Sequence, residues 1–369
     1  MINKPFANIT LDDILSLQTN EIEEGKSIDY KQELHLDNKS NKKEFAADIT
    51  SFANTVGGDL IIGVSEGRGI ITEIKGIKIN DKDKLRQDIE NLLRDIIQPQ
   101  IMGLEIAFYP FEQKYIMHIR IPQSFNGPHI VNGERFYGRN TTGKYPFDYV
   151  EIKQRFILSN QVQERIKNYH IERMMKVKAD EGYYETGHGT TILIHVVPIQ
   201  SFTENVYVST LTHDRFELAP LYGTSYEPVI QFEGITGIRR GGERASYHHI
   251  NRQGIIEITD KVLLNRDPSL PILGKTIIER SLMVLPHAFN NLGELGLYGP
   301  YLISTAILDV KGRIINHNEF GFSESPIRQN DMIFPSIIIT DPTNMDEYEQ
   351  MLKELLMNAA GYFYTPYTL

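Results

Sequence analysis

The stretch Ser51-Phe-Ala-Asn-Thr-Val-Gly-Gly-Asp-Leu-Ile-Ile-Gly-Val-Ser-Glu66 contains a helix end, a turn and a buried strand in succession. Apolar residues recur at helical spacing up to Phe52, which predicts an amphipathic helix over 42–55 that packs on a sheet. The Gly57-Gly58 pair is expected to end this helix, because glycine adopts the left-handed conformation that commonly closes a helix. The uninterrupted apolar run 60–64 then predicts a central strand buried on both faces.

The segments on either side continue an alternation of strands and helices. Residues 27–34 alternate as expected for a strand. Asn41 and Glu44 are spaced as in a capping box, which favours a helix start at this point. The C-terminal side adds a helix and two paired strands: 81–97, 102–109 and 115–121.

The rest of the chain is predicted to form a helical connector and a second domain. Helical periodicity over 147–174 indicates the connector, and we place the domains at 1–146, 147–180 and 181–369. The second domain is expected to mix strands and helices. The predicted strands are 191–197, 206–211, 228–232, 254–258, 301–308 and 333–340, and the predicted helices are 272–285 and 343–360. The fold class is therefore predicted to be α+β, with a mixed α/β sheet domain at the N-terminus.

Charge is distributed unevenly along the chain. The 38 basic and 48 acidic residues give a net charge of −10, which disfavours nucleic-acid binding by bulk attraction. Through Asn160, 20 basic and 23 acidic residues give −3, and the remainder gives −7. The acidity belongs mainly to the second domain, so the first domain stays a candidate for binding nucleic acid.

Composition narrows the possible chemistry further. The 369 residues are 41% hydrophobic and 23% charged, which is ordinary for a globular protein. The sequence has no cysteine, which excludes disulfides, thiol nucleophiles, iron–sulfur clusters and zinc fingers. It also has no apolar run of membrane-spanning length and no signal-like start, so we expect a cytoplasmic protein without a membrane partner.

Three acidic residues are predicted to meet at one end of the first sheet. Glu24 precedes the first strand, Asp29 projects from the same strand face as Lys31, and Glu66 closes the buried strand. Such carboxylates repel one another unless a divalent cation neutralises them, and Mg²⁺ or Mn²⁺ prefers these ligands. The chemistry indicated is metal-assisted phosphodiester hydrolysis with help from Lys31. Structural ion pairs are the competing interpretation.

Two polar stretches are candidates for contacts to nucleic acid. Their basic and amide side chains are Lys39, Lys42, Lys43, Asn54, Arg135, Arg139 and Lys144. The first three lysines crowd a helix start, where free backbone N–H groups favour anions. The two arginines and the last lysine alternate with aromatic residues, which suits phosphates and stacked bases. The alternatives are a solvated helix face, a capping turn and a hairpin whose aromatic residues pack on the sheet.

Two further patterns do not predict a site. The glycines of 133–139 and 182–189 are spaced as in a phosphate loop, but the Lys-Ser/Thr pair is missing, so no ATP-binding loop is predicted. His248 and His249 are adjacent on a presumed strand and would face opposite sides, so joint metal ligation is not expected.

Several separated motifs occur in the order found in a known family. They are Glu24-Gly-Lys-Ser-Ile-Asp29-Tyr-Lys31, Ser51-Phe-Ala-Asn-Thr55, Gly57-Gly58, Leu60-Ile-Ile-Gly-Val64-Ser-Glu66, Ile74-Lys-Gly76 and Phe136-Tyr-Gly-Arg139. Over about 22–146, roughly a third of the chain, this region resembles the Schlafen AlbA-type domain of bacterial proteins and animal Schlafens.

The resemblance implies nucleic-acid binding and, as in Schlafens that cut tRNA and rRNA, a metal site of three carboxylates. Glu24 matches the first, Asp29 the second, where Glu is usual, and Glu66 the third, where Asp is usual. Each exchange keeps the charge and moves it by one methylene. The animal enzymes clamp their substrate between two related lobes, and this chain shows one, so the resemblance implies a dimer at least or another partner.

The preferred hypothesis is a Schlafen-like, metal-dependent endonuclease that acts on structured RNA such as tRNA, with a role in host defence suggested by the family. The alternatives are a non-catalytic regulator that binds nucleic acid and a structural subunit of a larger complex. The second domain would sense a trigger or mediate assembly.

Overall fold

The computed structural model describes residues 2, 4, 6–203, 206–209, 215–265, 271–316 and 326–361. The chain divides into two compact units, Met1–Gln163 and Glu164–Leu369, with the division inside the segment expected to be a helical connector. Both units combine helices with sheets, which confirms the α+β class. None of the described helices is both long and apolar enough to cross a bilayer.

The first unit alternates helices and short strands, with a 3₁₀ turn at Phe6–Asn8. In chain order its elements are α1 (Leu11–Thr19), β1 (Ile28–Lys31), α2 (Lys39–Ala53), β2 (Gly58–Ile62), β3 (Val64–Gly67), β4 (Ile70–Ile74), α3 (Lys82–Ile96), β5 (Ile97–Gln98), β6 (Glu105–Phe111), β7 (Lys114–Ile121), β8 (Ile130–Val131), β9 (Arg135–Asn140), β10 (Gly143–Pro146) and the start of α4 (Tyr149–Lys178).

The central sheet of this unit has the strand order β1-β2-β7-β6. β1 runs parallel to β2, with Asp29 opposite Leu60, so the expected neighbourhood of these two strands is confirmed. All five residues of β2 are buried between β1 and β7, as the apolar run predicts. A second sheet has the order β10-β9-β8-β5, and β3 pairs with β4 alone.

The start of α2 differs from the prediction. The N-cap is Asn38, whose side chain accepts a hydrogen bond from the Asn41 amide at 2.9 Å, so the helix begins three residues before 42. The amide group of Asn41 instead donates to Asp37 Oδ1 at 2.7 Å. The predicted capping box at Asn41 and Glu44 is therefore wrong, because Asn38 caps the helix one turn earlier and places both residues inside it.

Glycines end α2 and the central strand. Gly57 lies at φ +70° and donates to Phe52 O at 2.9 Å, and a Cβ at this position would lie 2.7 Å from Gln123 N. Gly63, at φ +105°, ends β2 and directs the chain into β3. The predicted strand 60–64 is therefore two strands, and Glu66 belongs to the β3–β4 hairpin instead of the central sheet.

The second unit consists of the end of α4 and a large antiparallel sheet with flanking helices, and it contains a 3₁₀ turn at Leu263–Asn265. Its elements are β11 (Thr191–Pro198), α5 (Gln200–Thr203), β12 (Glu227–Gln231), β13 (Gly234–Gly241), β14 (Arg244–Asn251), β15 (Ile256–Asp260), β16 (Ile272–Leu273), α6 (Gly274–Glu294), β17 (Tyr301–Leu308), β18 (Ile315–Asn316), β19 (Met332–Ile333), β20 (Ile337–Ile339) and α7 (Asp346–Ala359). The sheet order is β12-β13-β14-β15-β11-β17-β19, and β20 also pairs with β17.

Several predicted elements of this unit need correction. β13 is absent from the predicted strands, because its glycines are typical of loops. β14 contains the strand that was assumed for His248 and His249, although its bounds were not predicted. At Gly237 a side chain is excluded by packing, since a Cβ would lie 2.2 Å from Leu218 O. α6 continues to Glu294 with Pro286 inside it, and the predicted strand 333–340 is the two short strands β19 and β20. Residues 206–209 of the predicted strand 206–211 form no strand, and 210–211 lie outside the described residues.

A buried ion pair joins α4 to the sheet of the second unit. Glu257 on β15 accepts hydrogen bonds from Arg173 Nε and Nη2 of α4, at 2.7 and 2.8 Å. It also accepts from His195 Nε2 at 2.9 Å and from the Tyr247 hydroxyl at 2.5 Å. Burial acts to raise the pKa of Glu257, but the bonds from Arg173 and His195 lower that pKa overall. The carboxylate is therefore held ionised without contact to water.

Buried histidines should make the second unit sensitive to acid. His248 and His249 contact different groups, Ala219 O at 3.2 Å and Thr236 Oγ1 at 2.7 Å. Burial lowers the pKa of His248 to about 4, despite the bond to Ala219. A histidine in the unfolded chain is protonated near pH 6.5. The free energy of unfolding therefore has its full value above pH 6.5, and it decreases as pH falls from 6.5 towards 4, because only the unfolded chain then takes up the proton.

We therefore expect the free energy of unfolding to depend less on pH in His248→Gln than in the wild type. Between pH 7 and pH 5, the free energy of unfolding should fall by about 2 kcal/mol more in the wild type than in the variant. Urea unfolding at pH 7 and pH 5 measures it. Asp260, whose pKa burial raises to about 6, acts with the opposite sign in both proteins and cancels in the comparison. Equal pH dependence in wild type and variant would contradict the assignment.

Candidate functional site

A polar cleft of about 420 Å³ opens at the edge of the central sheet of the first unit. Its walls come from segments that are distant in sequence. The lining includes Glu24, Asp29 and Lys31 around β1, Glu44 and Asp48 of α2, the turn of the β3–β4 hairpin at Arg68 and Gly69, and the β9–β10 hairpin from Arg139 to Lys144. The parallel pairing of β1 with β2 and the packing of α2 beside them bring these groups together.

Asp29 forms the floor of the cleft and is only 4% exposed. Its Oδ1 atom lies 2.8 Å from Arg139 Nη2. Its Oδ2 atom is buried and accepts no hydrogen bond from any described residue, although Lys31 Nζ lies 3.3 Å away as an ion pair. Burial acts to raise the pKa of Asp29, but the charges of Arg139 and Lys31 lower it overall. The cleft thus contains an ionised carboxylate with one oxygen available to a ligand.

Glu24 faces Asp29 across the cleft floor. Its Oε1 atom accepts a hydrogen bond from Tyr30 N at 2.8 Å. Burial raises the pKa of Glu24 to about 7, and the nearby charge of Asp29 adds to this although the Tyr30 amide opposes it. The two carboxyl groups line the same cleft, and each shifts the pKa of the other. Such a pair either shares a proton or accepts a cation.

Glu66 does not join this pair as a third ligand. It is exposed at the end of β3, and its Oε2 atom accepts a hydrogen bond from Gly69 N at 2.9 Å. Its charge still contributes to the raised pKa of Glu24. Among the residues that the structure describes, no three acidic or histidine side chains are grouped as ligands of one ion. The predicted set of three is not assembled, because Gly63 ends the central strand before Glu66 is reached.

The remaining pair fits a hard divalent cation. Both groups offer carboxylate oxygens, which Mg²⁺ and Mn²⁺ prefer. The buried Oδ2 atom of Asp29 accepts no hydrogen bond from the described residues and has Lys31 Nζ as an ion-pair neighbour at 3.3 Å, so it keeps lone pairs for a further ligand. Glu24 and Asp29 are therefore the residues that would hold a cation in this cleft.

Two cleft carboxylates were missed in the sequence. Glu44 and Asp48 lie one helical turn apart on α2, and Lys144 Nζ contacts both, at 2.5 Å from Glu44 Oε1 and 2.8 Å from Asp48 Oδ1. Burial raises the pKa of Asp48 although Lys144 and Lys31 act to lower it. The available signal was an acidic residue at position 48 inside the buried helical run Phe45–Ala53. Arg68 was also missed, and it is exposed at the hairpin turn with φ +57°.

The predicted nucleic-acid contacts fall into exposed and internal groups. Lys39 and Lys42 are exposed on the first turn of α2, and Arg135 is exposed at the start of β9. Lys43, in the same helix turn, lies 2.8 Å from Glu134. These four side chains remain placed for contact with a backbone phosphate, and Lys144 lies inside the cleft.

Asn54 and Arg139 have internal partners instead. Asn54 Nδ2 donates to His129 O and Tyr137 O, both at 2.9 Å, and its Oδ1 accepts from His129 N at 2.6 Å. Its amide ties α2 to the second sheet, so the hydrogen-bonding groups of Asn54 are engaged inside the unit and not directed at a phosphate. Arg139 Nε donates to Gly25 O at 2.9 Å, and the guanidinium lies 4.4 Å from the Phe52 ring centroid. Arg139 therefore orients Asp29 and the Glu24-Gly25 turn.

Aromatic residues of the second basic stretch also pack internally. Phe136 makes an edge contact with Phe156 at 6.0 Å, and the Tyr145 hydroxyl donates to Glu151 at 2.7 Å. Tyr137 packs on the core formed by α2 and the central sheet. The structural alternative, a hairpin with packed aromatic residues, describes this stretch better than a base-stacking surface.

Comparison with known proteins identifies the first unit. Residues 24–148 match the family model described as Schlafen, AlbA_2, which confirms the resemblance inferred from the motifs. The match covers about a third of the chain. No curated protein matches the sequence.

Solved structures are similar to parts of the chain. The DIP2311 protein from Corynebacterium diphtheriae is 18% identical, with 38% of this chain and 27% of that chain covered and a TM-score of 0.28. The N-terminal domain of a putative ATP-dependent DNA helicase RecG-related protein from Nitrosomonas europaea is 20% identical, with 31% and 74% covered and a TM-score of 0.24. The chain therefore spans about a quarter of the length of the first of these proteins.

Proposed function

We propose that the first unit binds nucleic acid, with RNA as the favoured ligand, and hydrolyses phosphodiester bonds in the cleft with Mg²⁺ or Mn²⁺. The observation that carries this proposal is the buried Oδ2 of Asp29, which accepts no hydrogen bond from the described residues and lies in an open cleft that Glu24 also lines. A Schlafen-like endonuclease that cuts tRNA-like substrates is the specific form of the proposal, and a host-defence role extends it through the family likeness.

The residues of the cleft have two roles: some bind the cation or the phosphates, and others stabilise negative charge on the phosphate. Glu24 and Asp29 would hold the cation, which when bound would polarise a phosphate oxygen. Lys31 lies 3.3 Å from Asp29 Oδ2, so it would stabilise negative charge on a phosphate bound beside the cation. Arg68 and the lysines of α2 contact neighbouring phosphates and set the position of the strand. Arg139 keeps Asp29 oriented.

A second candidate function is binding without cleavage. Asp29 already has two cationic neighbours, Arg139 at 2.8 Å and Lys31 at 3.3 Å. Lys144 likewise neutralises Glu44 and Asp48. A cleft that balances its own charges in this way favours a regulator that binds nucleic acid without a cation.

One set of assays separates these functions. The purified full chain is incubated with labelled tRNA, single-stranded DNA and double-stranded DNA, in Mg²⁺, in Mn²⁺ and in chelator. We expect cleavage of tRNA that depends on the metal, and binding that weakens steeply as salt rises, because phosphate contacts release counterions. Binding without cleavage in any metal would identify the regulator. A lack of salt-sensitive binding would leave the third possibility, a structural subunit.

Partners beyond nucleic acid follow from the same proposal. A second copy of the chain would supply the second lobe that a clamp around structured RNA requires. The second unit, which carries most of the net negative charge, would then serve assembly or sensing and not RNA contact.

A further inference from the structure

One lysine of the cleft is held by a buried carboxylate. Asp48 of α2 is 5% exposed, and its Oδ1 atom lies 2.8 Å from Lys144 Nζ on β10. Lys31 on β1 lines the same cleft but pairs with Asp29 Oδ2, at 3.3 Å. Asp48 therefore fixes the ammonium group of Lys144 in the cleft.

The other buried carboxylate of the cleft has its own cationic neighbours. Asp29 lies 2.8 Å from Arg139 and 3.3 Å from Lys31. Lys144 Nζ contacts Asp48 on its buried side and Glu44 on its other side. A phosphate that replaced Glu44 would keep Lys144 between two anions, with Asp48 below it and the phosphate above.

Glu44 has a different relation to the same lysine. Its side chain is 70% exposed, and it contacts Lys144 from the solvent side. An exposed ion pair of this kind contributes little stability. Glu44 therefore occupies the side of Lys144 from which a phosphate would approach, while Asp48 lies on the buried side.

We propose that Asp48 is a positioning residue that holds Lys144 as the seat for one backbone phosphate, and that Glu44 competes with this phosphate for Lys144. The inference rests on the proposed nucleic-acid binding and adds which residue receives the phosphate. It requires the two carboxylates that share Lys144 to affect affinity in opposite directions.

Bulk electrostatics gives a different expectation. Asp48→Asn and Glu44→Gln each remove one negative charge from the cleft, so general attraction to nucleic acid would increase in both variants. Under the positioning role, Asp48→Asn releases Lys144 from its buried anchor and weakens binding although it removes a negative charge from the cleft. Glu44→Gln removes only the competitor and tightens binding.

The test measures binding of labelled tRNA to the full chain in chelator, which suppresses metal-dependent cleavage, over a range of salt concentrations. We expect Asp48→Asn to weaken binding about tenfold, the loss of one charge-assisted contact, and to reduce the salt slope by about one phosphate. Glu44→Gln should tighten binding about twofold to threefold. Asp48→Glu, which keeps the charge, should recover part of the affinity.

Controls separate this inference from the function on which it depends. Asp88→Asn removes an exposed acidic charge of α3 outside the cleft and should leave affinity unchanged. If wild-type protein shows no salt-sensitive binding, the proposed function fails. If it binds and both Asp48→Asn and Glu44→Gln tighten binding, the seat alone is overturned. Should Asp48→Asn fail to fold, as thermal unfolding would show, an unchanged affinity in Glu44→Gln overturns the seat by itself.

Discussion

Asp29→Asn should lower the rate of metal-dependent cleavage by about a hundredfold to a thousandfold, the range found when one preorganised electrostatic group is removed from an active site. The substitution keeps the shape of the side chain, and its carbonyl oxygen can still accept the hydrogen bond from Arg139. It replaces the buried Oδ2 atom, which accepts no hydrogen bond from the described residues, with an amide group that can no longer bind a cation as a carboxylate does. Binding of tRNA in chelator should change little, because the phosphate contacts are made by other residues.

Three further variants sharpen this expectation. Glu24→Gln should reduce cleavage by a similar factor, since Glu24 and Asp29 would share the cation. Glu66→Gln should have a small effect, because Glu66 accepts a hydrogen bond from Gly69 N and lies outside the cleft lining. Asp88→Asn is the matched control for the loss of one charge in this unit. Cleavage rates come from single-turnover assays with labelled tRNA at saturating enzyme.

The pattern of losses decides between two site geometries. Equal losses in Glu24→Gln, Asp29→Asn and Glu66→Gln would support the three-carboxylate set that the family resemblance implies and would contradict the pair seen in the structure. Unchanged cleavage in Asp29→Asn would remove the cation site from the cleft altogether.

The sequence predicted the parts of this fold in which one local signal dominates. α3 was expected over 81–97 and lies at Lys82–Ile96, because a strong apolar stripe and a capping Asp81 agree on its position. The strand after Gly58 was predicted because a short, unbroken apolar run next to a glycine turn is typical of a strand buried on both faces. The pair of Glu24 and Asp29 was predicted from two local features. One is the alternation of residues along the first strand, and the other is an acidic residue just before this strand.

The errors arose where a long-range contact decides the role of a residue. Asn54 was interpreted from its own turn, but its partners His129 and Tyr137 are 75 and 83 residues away. The basic and aromatic stretch around Arg139 predicts a contact to nucleic acid, yet Arg139 pairs with Asp29 from the opposite end of the unit. The glycines of β13 are typical of a loop, so no strand was predicted there. One of them, Gly237, is required because the Leu218 carbonyl lies too close to leave room for a side chain. None of these contacts leaves a periodic pattern in the sequence.

Arg173→Met should lower the free energy of unfolding of the second unit by about 3–5 kcal/mol, because breaking a buried ion pair leaves its partner charge without compensation. Glu257 is fully buried and receives two of its hydrogen bonds from this arginine, at 2.7 and 2.8 Å. Methionine fills most of the volume of the side chain, so the loss reports the charge and not a cavity. Urea unfolding, followed by the near-ultraviolet circular dichroism of the tyrosines, measures the change.

The same helix offers a control at equal distance. Lys176 Nζ lies 2.7 Å from Glu172 Oε1, as close as Arg173 Nε is to Glu257, but both side chains of this pair are exposed. Lys176→Met should therefore cost about 0.5 kcal/mol or less. Similar losses in the two variants would show that Glu257 is not desolvated. A double variant, Arg173→Met with Glu257→Met, should recover only part of the loss, because His195 and Tyr247 also give up their acceptor when Glu257 is removed. The size of that shortfall measures how much of the stabilisation belongs to the whole network and how much to the ion pair alone.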